Sequence, residues 1–197
     1  TSVSTAPGSQ LLRADLDNDG HSDVLVIHAA KASLLRGAAN GTFEDLTALL
    51  PEGTGCVAAE AADLDEDGDL DLILVAESGA ISLLTNNGGN ANEWTDVVTR
   101  AIGDDPQFPS NRVNMHGIGA IIEARTGEQW QSHPVEGPRT HLGLGKAKQM
   151  DSVRVIWTDG IPQNLTGVQF LKSRLGVLAP QILIGSCPYI YTWNGKE

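Results

Sequence analysis

The chain is 197 residues long and carries 25 acidic side chains against 13 Lys and Arg, a formal charge of −12. With no basic cluster, that balance excludes phosphate-rich nucleic acid as a partner, and no apolar run approaches the roughly 20 residues needed to cross a bilayer. The length allows one large domain or two modest ones, and 22 Gly with little helical periodicity favour β structure joined by tight turns.

Residues 1–10 have neither a charged n-region nor an apolar core, so any export signal is expected to be already removed or outside this sequence. The next stretch, Asp15-Leu16-Asp17-Asn18-Asp19-Gly20-His21-Ser22-Asp23, returns as Asp63-Leu64-Asp65-Glu66-Asp67-Gly68-Asp69-Leu70-Asp71. Carboxylates at alternate positions, with a glycine at the sixth for a sharp turn, suit a hard cation such as Ca²⁺. Asp15, Asp17, Asp19 and Asp23 would supply side-chain oxygens and His21 its carbonyl. In the second copy Asp63, Asp65, Asp67 and Asp71 would do so, with the carbonyl of Asp69. Two calcium sites are therefore expected. An EF-hand shares the opening but needs a Glu at position 12, where this chain has Val26 and Leu74. An acidic solvated turn explains a single copy as well as a metal does, but not the matched pair.

Each loop feeds a β-branched-rich run, Val24 to Ile27 and Leu72 to Val75, read as strands. A turn near 29–31 and a strand around Ser33 to Arg36 complete a hairpin. Asn40-Gly41-Thr42 then turns the chain into a short strand with Phe43 as its inward anchor. Cys56 to Ala61 leads into the second copy, whose strands Leu70 to Ala76 and Ala80 to Leu84 are followed by a Gly/Asn turn at 86–90. A period near 50 with several short strands per repeat indicates propeller blades.

Beyond Trp94 the period fails. Strand-like runs follow at 97–100, 118–124, 129–135, 140–144 and 152–157, the last alternating at Val153, Val155 and Trp157 to give one buried face. A polar loop spans 103–114. In the tail, 181–184 and 188–193 read as strands, and Asn194-Gly195 favours a hairpin turn.

The stretches ADLDNDGHSDVLV and ADLDEDGDLDLIL, with SLLRGAANGTFEDLT and SLLTNNGGN, resemble FG-GAP/VCBS repeats, the calcium-loop blades of integrin-type β-propellers. HGIGAIIEART, THLGLGKAKQMDSVRVIWTDGIPQNL and the leading Trp94 resemble the ASPIC/UnbV domain, which follows such repeats in many proteins. Leu142, where that family more often has Phe, and Thr158-Asp159-Gly160, in place of Pro-Ser-Gly, keep the apolar and turn characters. The resemblance implies an all-β chain: two blades over residues 1–92, a β-rich, sandwich-like domain over 93–170, and from 171 to 197 the start of a further module. It also implies an exported or cell-surface protein acting in binding, adhesion or as a scaffold, with a protein or glycan partner. Two blades cannot close a propeller, so further blades are expected from the same parent chain or another chain.

No catalytic group is expected. Gly117-Ile118-Gly119 and Gly143-Leu144-Gly145 lack the third glycine of a dinucleotide fingerprint, and strand packing and turns explain them. The five histidines form no zinc array, and neither His116 nor His141 accompanies a Ser or Cys elbow. Carboxylates bound to Ca²⁺ are poor proton donors, which sets aside a glycosidase pair. The rival function is an accessory domain of a larger secreted or surface enzyme, with a site at the domain junction where His116 or His141 meets a carboxylate. A purely structural segment of a surface assembly is a third reading. Cys56 and Cys187 could pair or remain two free thiols. The sequons at Asn40 and Asn164 carry no weight.

Overall fold

The computed structural model describes residues 10–28, 31–52, 55–101, 113–169 and 172–179. Within them lie fourteen strands and two short 3-10 turns. The first blade is an antiparallel meander of β1 (Gln10–Ala14), β2 (Asp23–His28), β3 (Lys31–Gly37) and β4 (Phe43–Asp45). The second has β5 (Ala58–Ala62), β6 (Asp71–Val75) and β7 (Ile81–Leu84). Its chain then leaves through a 3-10 turn at Gly89–Ala91 instead of adding a fourth strand.

The blades meet face to face over Leu25, Ile27 and Ala32 on one side and Cys56, Leu72 and Leu74 on the other. Shifted by the repeat offset, Leu25 and Ile27 correspond to Ile73 and Val75, whereas the residues that the second blade buries correspond to Val24 and Val26. The front of one blade therefore packs on the back of the next. This is the heterologous stacking of a propeller, and among the described residues it leaves an apolar face at either end without a partner. Phe43, expected as an inward anchor, is only half-buried and stands outside this core.

The second domain is a two-layer sandwich. One sheet is ordered β10 (Gln129–Pro134), β9 (Ile121–Thr126), β12 (Gln149–Ile156), β13 (Pro162–Gln169); the other is β11 (Thr140–Gly145), β8 (Glu93–Arg100), β14 (Ser173–Leu178). Between them lie Val97, Ile122, Leu142, Leu144, Met150, Val153, Val155, Trp157 and Val177. The buried face expected at Val153, Val155 and Trp157 is present. Gly117 and Gly119 turn at positive φ, and a Cβ at Gly117 would lie 2.9 Å from the Trp157 ring. β14 lies past the boundary expected at residue 170 and pairs in parallel with β8, so residues 173–178 are part of the sandwich. The tail strands expected at 181–184 and 188–193, the Asn194-Gly195 turn and Cys187 lie outside the described residues.

Period-2 alternation on β8 serves two neighbours at once. Val97 enters the sandwich core, while Trp94 and Asp96 project from the opposite face, toward the acidic loops. Across that same face, register sets His141 of β11 and Arg174 of β14 on either side of Asp96.

Candidate metal centre

Asp15, Asp17 and Asp19 present carboxylate oxygens that all lie within 4.8 Å of one another, as do Asp63, Asp65 and Asp71. The loops are wound by their own side chains. Asp15 accepts the Asp19 and Gly20 N–H groups (3.1 and 2.8 Å), Asp17 that of Asp19 (3.2 Å), and Asp19 that of His21 (2.7 Å). In the second loop Asp65 accepts from Asp67 N–H (3.3 Å) and Asp67 from Asp69 N–H (3.1 Å). Asn18 and Glu66, at the equivalent fourth position, both adopt left-handed backbone (φ 56° and 61°), and Gly20 and Gly68 follow at φ 85° and 96°.

The first set departs from the expected ligands at the ninth position and the second at the fifth. Asp23 accepts Leu16 N–H and Gly37 N–H, both at 2.8 Å, and its oxygens are not among the first cluster; it clamps the loop to β3. Asp71 makes the equivalent bonds to Leu64 and Asn86 N–H, at 3.0 and 2.8 Å, yet is also in the second cluster. Asp67 stands outside that cluster, its Oδ2 taken by Asn90 Nδ2 at 2.6 Å. His21 is half-buried and Asp69 fully buried. The Asp69 side chain, to which the sequence assigned no role beside the carbonyl expected as a ligand, also turns inward: Oδ2 accepts Asn90 N–H at 3.2 Å.

The donor set fits a hard divalent cation. Asp63 Oδ1 and Asp69 Oδ1 are buried with no hydrogen-bond partner among the described residues, and such an oxygen requires a cation or a proton. Without a cation the carboxyls turn toward the proton. Burial, reinforced by the charges of Asp19, Asp23 and Asp17, pushes Asp15 up to about 8 against the pull of the Gly20 N–H. Burial likewise raises Asp23 to about 6 and Asp69 to about 6, and shifts Asp17 and Asp63 upward. A bound divalent ion would hold these groups ionised.

The first loop is the hub of the molecule. Its successive carbonyls accept from the β7–β8 connection, β11 and β10: Leu16 O from Asn86 Nδ2 (2.6 Å), Asp17 O from Asn92 Nδ2 (2.7 Å), Asn18 O from Gly145 N–H (2.8 Å) and Asp19 O from Gln129 Nε2 (3.0 Å). The buried Asn18 side chain donates to Gly68 O (2.8 Å) and Gly89 O (3.2 Å), which fixes its Oδ1 as an acceptor 2.6 Å from His141 Nε2. His141 Nδ1 lies 3.0 Å from Asp96 Oδ1, and the ring stacks on Trp94 with centroids 5.8 Å apart. Both ring nitrogens thus face acceptors. In the second loop, Glu66 pairs with Arg174 at 3.1 Å and Arg139 at 3.6 Å. The fourth residue of each loop therefore points out of the acidic cluster and into the second domain.

Close approach requires two glycines. A Cβ at Gly143 would fall 2.7 Å from Asn18 Cα and would also meet Asp15 Oδ2, and one at Gly68 would enter the Trp94 indole. The sequence showed Trp94 only as a strand start. Its role as the plate over the second loop depends on the fold. His116, the other histidine named for a junction site, offers its carbonyl to Thr99 Oγ1 at 2.6 Å.

Fold and site define an all-β protein in which blades carrying acidic loops are docked on a β-sandwich. Residues 15–74 match the family model for an FG-GAP-like repeat and residues 110–174 that for ASPIC and UnbV, so the chain carries an FG-GAP-like repeat followed by an ASPIC and UnbV domain. No curated protein matches the chain. No helix among the described residues is long and apolar enough to cross a membrane.

Proposed function

We propose that this chain is an exported, non-enzymatic binding and scaffold module in which two structural Ca²⁺ ions, one per loop, hold the blades to the second domain. The observation that carries the reading is the embedding of the first loop: Asp17 and Asp19, which would grip the ion, and Leu16 and Asn18 between and beside them deliver four carbonyls and the Asn18 side chain to the β7–β8 connection, β10 and β11. Ordering the loop orders the junction. Loops of this kind with dissociation constants on the order of 10⁻⁴ to 10⁻³ M fill in extracellular calcium and stay empty in resting cytosol, which supports an exported location. The test is a calorimetric calcium titration with melting in chelator. Two ions should bind, and Asp17→Ala and Asp65→Ala should each remove one; unchanged melting across the chelator series would refute the proposal.

A further blade, from the same parent chain or another, is the partner that the end faces favour. Ile81 and Leu83 are 67% and 62% exposed on the surface equivalent to the one that the first blade buries. The rival reading, an accessory domain of a larger secreted or surface enzyme, draws on the His141–Asp96 pair beside a pocket at the junction. Against a general base there, Asn18 and Asp96 engage both His141 nitrogens. Loss of a measured hydrolytic activity in His141→Gln, with melting retained, would favour the rival.

A further inference from the structure

A pocket of about 290 Å³ opens where the two blades meet the second domain, between β1, β5, the first loop and β10, which ends its sheet among the described residues. Asp15 of the first acidic cluster borders it, whereas Arg13, Glu60, Trp130, Ser132 and His133 belong to neither cluster. Trp130 stands at its rim 56% exposed, on a strand whose neighbouring residue Gln131 is buried and tied to Gly143 O at 2.7 Å. That bond fixes Gln131 Oε1 as an acceptor for His133 Nε2 at 3.2 Å, so the proton sits on Nε2 and Nδ1 is left as an acceptor. Burial, then the nearby charges of Arg13 and His141, hold His133 down at about 4, so the ring is neutral at neutral pH. Arg13, Glu60 and Ser132 complete a wall of mixed donors and acceptors.

The chemistry selects among ligand classes. A phosphate-bearing ligand would meet Glu60 and the Asp15 carboxylate of the first loop beside Arg13, and a cationic one would meet Arg13. A neutral polyol suits every group: each hydroxyl both donates and accepts, and the electron-rich indole face attracts the C–H face of a pyranose ring. The volume lies just under the roughly 300 Å³ at which ligand pockets begin, and admits a sugar unit more readily than a nucleotide. We propose that this junction pocket is a saccharide site in which a pyranose stacks on Trp130 and hydrogen-bonds Arg13, Glu60 and His133. The proposal rests on the binding-module reading and names the ligand class for it.

The test uses the full chain in calcium, with methyl glycosides of glucose, galactose, mannose and N-acetylglucosamine at millimolar concentration as probes. Binding is read by saturation-transfer NMR and by tryptophan emission, and melting is recorded in the same samples. At least one glycoside should bind, with affinity lost in Trp130→Ala, partly retained in Trp130→Phe and lowered about tenfold or more in Arg13→Ala, a change of 1.4 kcal/mol. Because Trp130 is exposed at a strand edge, its variants should melt with the parent. Failure of all four glycosides to bind, binding that survives Trp130→Ala, or binding of an extended peptide along the β10 edge in place of sugars would overturn the proposal. Calcium-dependent melting in those samples reports on the scaffold separately, so the two readings fail independently.

Discussion

Asn18→Gly removes the link that joins the first loop to the second loop and to the second domain, and leaves the backbone content. Glycine adopts the φ of 56° found here without strain, so the change isolates the side chain. Three hydrogen bonds disappear, to Gly68 O, Gly89 O and His141 Nε2, from a residue that is 0% exposed. At about 0.5–1.5 kcal/mol each, with their partners left unpaired in a buried junction, the loss comes to about 3 kcal/mol. For a chain of this size that lowers Tm by about 6–12 °C in saturating calcium. Asn18→Asp is the sharper comparison: it keeps the contact to His141 but turns an oxygen toward two carbonyls, and it should be no more stable than Asn18→Gly. Melting within about 2 °C of the parent for Asn18→Gly would refute the hub argument, since surface changes routinely shift stability by about 0.5 kcal/mol.

Three further outcomes follow from the same geometry. Glu66→Ala removes only exposed ion pairs to Arg139 and Arg174 and should cost no more than about 1 kcal/mol by thermal melting, well below Asn18→Gly. Gly68→Ala must place a Cβ at φ 96° inside the Trp94 ring; it should be strongly destabilising, by about 2–4 kcal/mol, and should shift Trp94 emission. In chelator, the folded chain keeps protons on Asp15, Asp23 and Asp69 that the unfolded chain has released. Stability contributed by these raised groups is full below about pH 4 and is lost as pH climbs toward 8, so the metal-free protein should melt lower at pH 8 than at pH 5.5. In calcium the ion displaces those protons, and the stabilisation it brings should grow over the same interval, as paired melting curves would show.

The loops were legible because their chemistry is local. Alternating carboxylates and a glycine announce a cation cage within nine residues, and the repeated copy removes the coincidence. Asn18 and Glu66 occupy the position where left-handed backbone is tolerated, but their partners lie at Gly68, His141, Arg139 and Arg174, and no local pattern encodes contacts that distant. The sandwich core showed through Val153, Val155 and Trp157, whose alternation comes from one buried face. The strand β13, at the end of its sheet opposite β10, was missed because Pro162–Gln169 is polar at half of its positions and opens with a proline, as edges do. β14 was missed for a different reason: Ser173–Leu178 is short, and its pairing with β8 is parallel, closed across more than seventy residues. Asp69 showed as one more loop aspartate; that its side chain turns inward follows from Asn90, which reaches back from the 3-10 turn.

The most direct measurement is calcium binding to the intact chain followed by calorimetry, beside Asp17→Ala and Asp65→Ala. Two ions bound by the parent, one by each variant, and a melting transition that falls in chelator and returns on adding calcium are the expected results. A chain that binds no calcium, or melts identically with and without it, would contradict the claim that cations hold the blades to the second domain.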